Sequence, residues 1–192
     1  MHRLVMVFVA LLVVVGFSSP LVPAAASQSA QWTTLFDGSN LDAFTPIGDA
    51  NWSLEDGAVQ ANSGSGFLVT NESYADFELN LEFWVDEPAN SGIFIRCADP
   101  ESVNDRNSYE VNIYDTRADQ TYRTGGIVHI APPASVIMTG GQWNSYEILA
   151  RGSRLTVTLN GQPMVDIEDT QFTDGPIALQ YGAGTVKFRN VT

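Results

Sequence analysis

Glu110, Asn112 and Arg96 are the residues whose types and spacing suit chemistry. The stretch Asn107-Ser-Tyr-Glu-Val-Asn-Ile-Tyr-Asp115 alternates apolar Tyr109, Val111 and Ile113 with Glu110, Asn112 and Tyr114. That period predicts a strand with Glu110 and Asn112 on one face, roughly 6–7 Å apart. Upstream, Gly92-Ile-Phe-Ile-Arg96 predicts a second strand with Arg96 on its polar side. A carboxylate, an amide and a guanidinium on one face of a sheet outline a polar site about the width of a sugar ring. The plain alternative is a cross-strand ion pair between Glu110 and Arg96 on a solvated face.

Other side chains extend the outline. Phe94 and Trp84 fall on the polar sides of their strands, where an aromatic ring can stack on a sugar or pack under a loop. Gln180 alternates with apolar Ile177 and Leu179 and is a candidate for the polar floor, and Tyr114 shares the Glu110 face. His129 shares a face with Ile127 and reads equally well as a structural or a reactive histidine. Asp115 reaches the Glu110 face only through a bulge and otherwise starts a turn.

The elements that must position these residues are short. Phe77–Val85 places Phe77, Leu79, Leu81, Phe83 and Val85 on one face. Further runs are 66–70, 93–97, 109–114, 126–130, 145–151, 154–159, 164–167, 177–181 and 186–191. Leu159-Asn-Gly-Gln162 predicts a type I′ hairpin, and Glu55-Asp-Gly57 is also turn chemistry. About ten short strands with such punctuation predict an all-β jelly-roll sandwich of antiparallel strands in two sheets. Ala131-Pro-Pro-Ala-Ser135 to Gly141 cannot be a central strand and predicts a crossover or a lid. Cys97, two residues after Ile95, is expected to face the core.

Residues 1–26 read as a secretory signal, with Arg3, an apolar run from Leu4 to Phe17, and Ala24-Ala25-Ala26 before Ser27. An uncleaved anchor is the alternative. Residues 27–192 then form one domain, secreted or held in the cell envelope or periplasm. The formal charge is −13, and cleavage, which removes Arg3 and no acid, takes it to −14. That balance disfavours nucleic acid and anionic lipid as partners, and no membrane insertion of the mature domain is expected. The histidines are His2 and His129, and with one cysteine a His/Cys zinc cluster is excluded. No cofactor is required by any motif. Asp99, Glu101 and Asp105 share one loop and are of the type that binds Ca²⁺, although a solvated acidic loop explains them as well.

Several segments together resemble the 3-keto-disaccharide hydrolase domain family, long catalogued as a domain of unknown function. They are Trp32-Thr-Thr-Leu-Phe-Asp-Gly38, Trp52-Ser-Leu-Glu-Asp-Gly57, Asn90-Ser-Gly-Ile-Phe-Ile-Arg96, Tyr109-Glu-Val111, Trp143-Asn-Ser-Tyr-Glu147, Leu159-Asn-Gly161 and Gly175-Pro-Ile-Ala-Leu-Gln180. The resemblance implies a concanavalin A-like jelly roll over residues 32–191. It also implies a hydrolase or lyase acting on glycosides whose C3 hydroxyl is oxidised to a ketone. Such chemistry needs a base for the C2 proton, a stabiliser for the enolate, and an acid for the leaving oxygen. The expected roles are Glu110 as base, Arg96 as anchor or enolate stabiliser, and His129 or Asp115 as acid. Asn112, Phe94, Tyr114, Trp84 and Gln180 would hold the sugar. A different protein, an oxidoreductase, would make the keto-sugar, since no nucleotide-binding glycine motif is present. The competing expectations are a non-catalytic carbohydrate-binding module and a structural or adhesion domain. A loose likeness of Glu110-x-Asn112-x-x-Asp115 to the paired-carboxylate signature of β-glucanases is weakened by the central amide.

Overall fold

The structure, a computed structural model, describes residues 31–192. The signal segment 1–26 lies outside the described residues. Twelve strands are described, and they form two antiparallel sheets. The first four are β1 (Phe44–Gly48), β2 (Ser53–Glu55), β3 (Ala58–Ala61) and β4 (Gly66–Thr70). Next come β5 (Phe77–Val85), β6 (Ser91–Ile95) and β7 (Tyr109–Ile113). The last five are β8 (Trp143–Arg151), β9 (Arg154–Leu159), β10 (Gln162–Glu168), β11 (Ala178–Tyr181) and β12 (Val186–Arg189). One sheet has the order β1-β4-β11-β6-β7 and the other β10-β9-β8-β5-β12-β3-β2. The expected all-β, two-sheet jelly roll is therefore the observed fold.

Alternation explains the sandwich. Leu79, Leu81, Phe83 and Val85 of β5 and Tyr146, Ile148 and Ala150 of β8 point inward. They meet Ile93, Ile95, Tyr109, Val111 and Ile113 from the five-stranded sheet. Each fully buried side chain of this size contributes roughly 1.5–3 kcal/mol. The Asn160-Gly161 turn has φ of 52° and 75°, and Leu159 pairs with Gln162, as the sequence predicts for a type I′ hairpin. Asp56-Gly57 does the same between β2 and β3.

Three expectations are corrected. The run at 126–130 is not a strand, because His129 has φ of 64° and only Ile127 forms bridges, to Val111 and Ala131. The segment instead covers the outer edge of β7. Val128 N–H donates to the Glu110 carbonyl, and Asn112 N–H donates to the Gly126 carbonyl. Strands β1 to β3 are additional to the predicted runs. Cys97 is buried, but in a small apolar cluster with Val69, Phe94, Val103 and Ala178, separate from the main core. Arg96 has φ of 53°, and this left-handed residue breaks the alternation that would have turned Cys97 inward.

Candidate active site

The outer face of the five-stranded sheet carries the candidate site. Register pairs Glu110 with Phe94 and Asn112 with Gly92 across β7 and β6. It then pairs Phe94 with Ala178, and Ala178 with Val69, across β11 and β4. Gln180 sits opposite Phe67. The Phe67 and Phe94 rings meet edge to face at 5.2 Å. The floor is thus an aromatic and apolar patch with Glu110 at one side.

Glu110 is 6% exposed, and among the described residues no hydrogen bond holds its carboxyl. Burial against this patch raises its pKa from 4.5 to about 7, and the Asp105 carboxylate pushes the same way. The positive charge of Arg117 pulls in the opposite direction and is the smaller effect. A carboxyl poised near 7 is available to take up a proton at neutral pH.

Asp105 links Glu110 to His129. The His129 ring Nε2 and Asp105 Oδ2 are 2.9 Å apart, and the Tyr122 ring lies edge-on to His129 with centroids 5.8 Å apart. His129 and Asp105 side chains are about one-third exposed, so the pair faces solvent at the rim. Asn112 is fully buried, and its Nδ2 donates to the Tyr122 carbonyl. This bond ties the Gln120–Tyr122 turn down onto β7. The Asn112 Oδ1 and Gln180 Oε1 are buried without a partner among the described residues. Tyr114 follows β7 and is half-buried, and its N–H donates to Thr124 Oγ1.

The structure does not bring three expected residues to this place. Arg96 is 1% exposed and turned away from Glu110 by its positive φ. Its guanidinium donates to the carbonyls of Ala75, Gly152 and Phe172, and lies 3.4 Å from Asp76. It is a clamp on the chain, and the suggested Glu110–Arg96 ion pair does not exist. Asp115 accepts from Thr124 Oγ1 at 2.6 Å, Thr139 N–H at 2.6 Å and Gly140 N–H at 3.2 Å. Those bonds fasten the long crossover and leave no free oxygen for acid catalysis. Trp84 belongs to β5 in the seven-stranded sheet, opposite Trp143 and under Lys187 Nζ at 5.5 Å. It therefore faces the other side of the sandwich.

The loop carboxylates are also dispersed. Asp99 Oδ1 accepts from Glu101 N–H, while Asp105 engages His129. Among the described residues no three His, Cys, Asp or Glu side chains gather as a metal set. The proposed Ca²⁺ loop does not fit that ion.

Sequence reasoning missed Arg117, Tyr122, Phe67 and Gly92. Arg117 sits in a turn whose N–H returns to the Tyr114 carbonyl, and loop residues carry no periodic signal. Phe67 lay within a predicted strand, but nothing local says that its strand shares a sheet with β6 and β11.

The model of the 3-keto-alpha-glucoside-1,2-lyase-like domain matches residues 31–192. Two solved structures from Parabacteroides distasonis that carry a glycosyl hydrolase designation are similar. One is 26% identical with a TM-score of 0.70, covering 84% of this chain and 98% of that one. The other is 19% identical with a TM-score of 0.74, covering 82% and 90%. The carbohydrate binding module CBM66 from Bacillus subtilis is 20% identical with a TM-score of 0.61, covering 78% and 94%. No curated protein matches the chain at a significant level.

Proposed function

Because the chain belongs to the 3-keto-alpha-glucoside-1,2-lyase-like domain family, we propose that it cleaves glycosides of 3-keto-sugars with Glu110 as the base. The observation that carries this reading is the Glu110 carboxyl, buried beside Phe94 and free of hydrogen bonds among the described residues, so that burial pushes its pKa up to about 7. A C3 ketone makes the C2 proton acidic, because the resulting carbanion is delocalised as an enolate. The Glu110 carboxylate takes that proton, and the C2 electron pair joins the ketone. Collapse of the enolate forms the C1=C2 bond and breaks the bond from C1 to the aglycone oxygen. The aglycone oxygen takes a proton from the rim, where His129 is the candidate donor. Addition of water across the enone, with OH at C1 and H at C2, completes a net hydrolysis. Arg117, whose charge reaches Glu110, replaces Arg96 as the cation available to the enolate. Phe67, half-buried and edge-on to the buried Phe94, offers a ring face for the sugar.

The ketone must be made beforehand, so a separate oxidoreductase belongs to the same reading. So do the leader at 1–26 and export to the envelope or medium, which N-terminal sequencing of the protein from culture fractions tests. The commitment of Arg96 and Asp115 to structural bonds leaves few polar groups around Glu110, and this favours a second reading, sugar binding without turnover. Incubation of the purified domain with 3-keto-trehalose and with a chromogenic 3-keto-glucoside separates the two. Aglycone release with enone or keto-glucose as co-product supports the enzyme. Sugar-dependent thermal stabilisation without release supports the binding module.

A further inference from the structure

We propose that Gly92 is the positioning residue for Glu110: the missing side chain at this one point of β6 is what lets the carboxyl lie down against Phe94. The inference rests on the reading of Glu110 as the base for its catalytic consequence, but not for its geometry. A Cβ built at Gly92 would stand 3.2 Å from Glu110 Cγ, 3.2 Å from Glu110 Oε1 and 3.3 Å from Phe94 Cε2. Ordinary contacts begin near 3.4 Å, so a methyl group there presses on all three atoms. The glycine is not explained by its backbone, because its φ lies outside the left-handed region. Glycine inside a strand weakens it, so its place here calls for a close approach.

The register gives the direction of that approach. Gly92 pairs with Asn112, and Glu110 pairs with Phe94. The Glu110 side chain therefore leans diagonally across the ladder into the space above Gly92. The charged groups around Glu110 come from the segments flanking β7, and Asp105 and Arg117 are the ones that move its titration. The loop before β7 supplies Asp105, with Arg106 3.9 Å from it, and the segment over the β7 edge supplies His129. The turn after β7 supplies Arg117. Strand β6 contributes only Phe94 and Gly92. A methyl at position 92 leaves those charges in place and expels the carboxyl toward water. That removes the desolvation that disfavours the charged form, so the carboxyl becomes a weaker base.

The test is a ¹³C-carboxyl NMR titration of Glu110 in the wild-type domain and in Gly92→Ala, alongside kcat/KM against pH for the 3-keto-glucoside. The expected result is a Glu110 midpoint at least about one pH unit lower in Gly92→Ala, with the acidic limb of kcat/KM shifted equally. At high pH, kcat should fall about tenfold while KM changes little. Identical Glu110 midpoints in the two proteins would overturn the proposal. A shifted midpoint in a protein that never turns over keto-sugar would keep Gly92 as the seat and remove the base assignment instead. A thermodynamic cycle covers the case of a poorly folding variant. The loss of melting temperature on Gly92→Ala should shrink by at least half in a Glu110→Ala background, where the methyl has room. An equal loss in both backgrounds also overturns it.

Discussion

Glu110 is a residue whose environment works against its charge. Its folded pKa of about 7 lies above the ordinary 4.5, so the folded state holds a proton that the unfolded chain has released. The sign follows from linkage. Stability falls as pH rises from about 4.5 to about 7, and above that the ionised carboxylate costs about 3 kcal/mol. Glu110→Gln is therefore expected to be more stable than wild type at pH 8, by roughly 1–3 kcal/mol, and similar to it near pH 4. Urea denaturation at the two pH values checks this, and equal stabilities at pH 8 would contradict the burial argument. Arg96 behaves in the opposite way. Its guanidinium satisfies three backbone carbonyls in a closed space, so Arg96→Ala should cost on the order of 3 kcal/mol. Loss of sugar affinity with full stability would instead return Arg96 to the site.

At the scale of elements, period-2 alternation made β4 to β12 readable and named the faces of Glu110, Asn112 and Gln180. It failed where the backbone departs from a pleated strand. Arg96 at φ 53° and His129 at φ 64° both break the alternation, one moving a guanidinium out of the site and the other ending an apparent strand. Asparagine and glycine announce such turns, histidine only weakly, and arginine does not. Asp115 also has an element-scale role invisible in sequence. It accepts from Thr124, Thr139 and Gly140, joining both ends of the crossover to the end of β7. Asp115→Ala orphans those donors and should lower stability by about 3 kcal/mol, with faster hydrogen exchange confined to residues 124–140. Uniform exchange across the sandwich would contradict that local role.

For the whole molecule, the decisive fact is which sheet each strand joins. Trp84 and Phe94 both face outward from their strands, yet one lies on the seven-stranded sheet and the other on the five-stranded sheet. Alternation assigns a face and cannot assign a sheet, so the pair looked like one aromatic platform and is two. The far face is a separate surface, where Lys187 covers Trp84 and Arg189 stacks on Trp143 at 3.9 Å. Arg189 also bonds Glu82 there. Trp84→Ala should leave turnover of the keto-glucoside within about twofold of wild type, because sites separated by a whole core act independently. Phe94→Ala should reduce it markedly. The reverse pattern in parallel kcat/KM measurements would move the site to the other sheet.

The central claim is that Glu110 removes the C2 proton of a 3-keto-glycoside. The measurement that tests it most directly is aglycone release from a chromogenic 3-keto-glucoside by wild type and Glu110→Gln, from about pH 5 to about pH 9. The account predicts a wild-type rate that rises with a midpoint near 7 and then levels, and a loss of at least about 10³-fold in Glu110→Gln at every pH. A variant that still releases aglycone at the wild-type rate would contradict it.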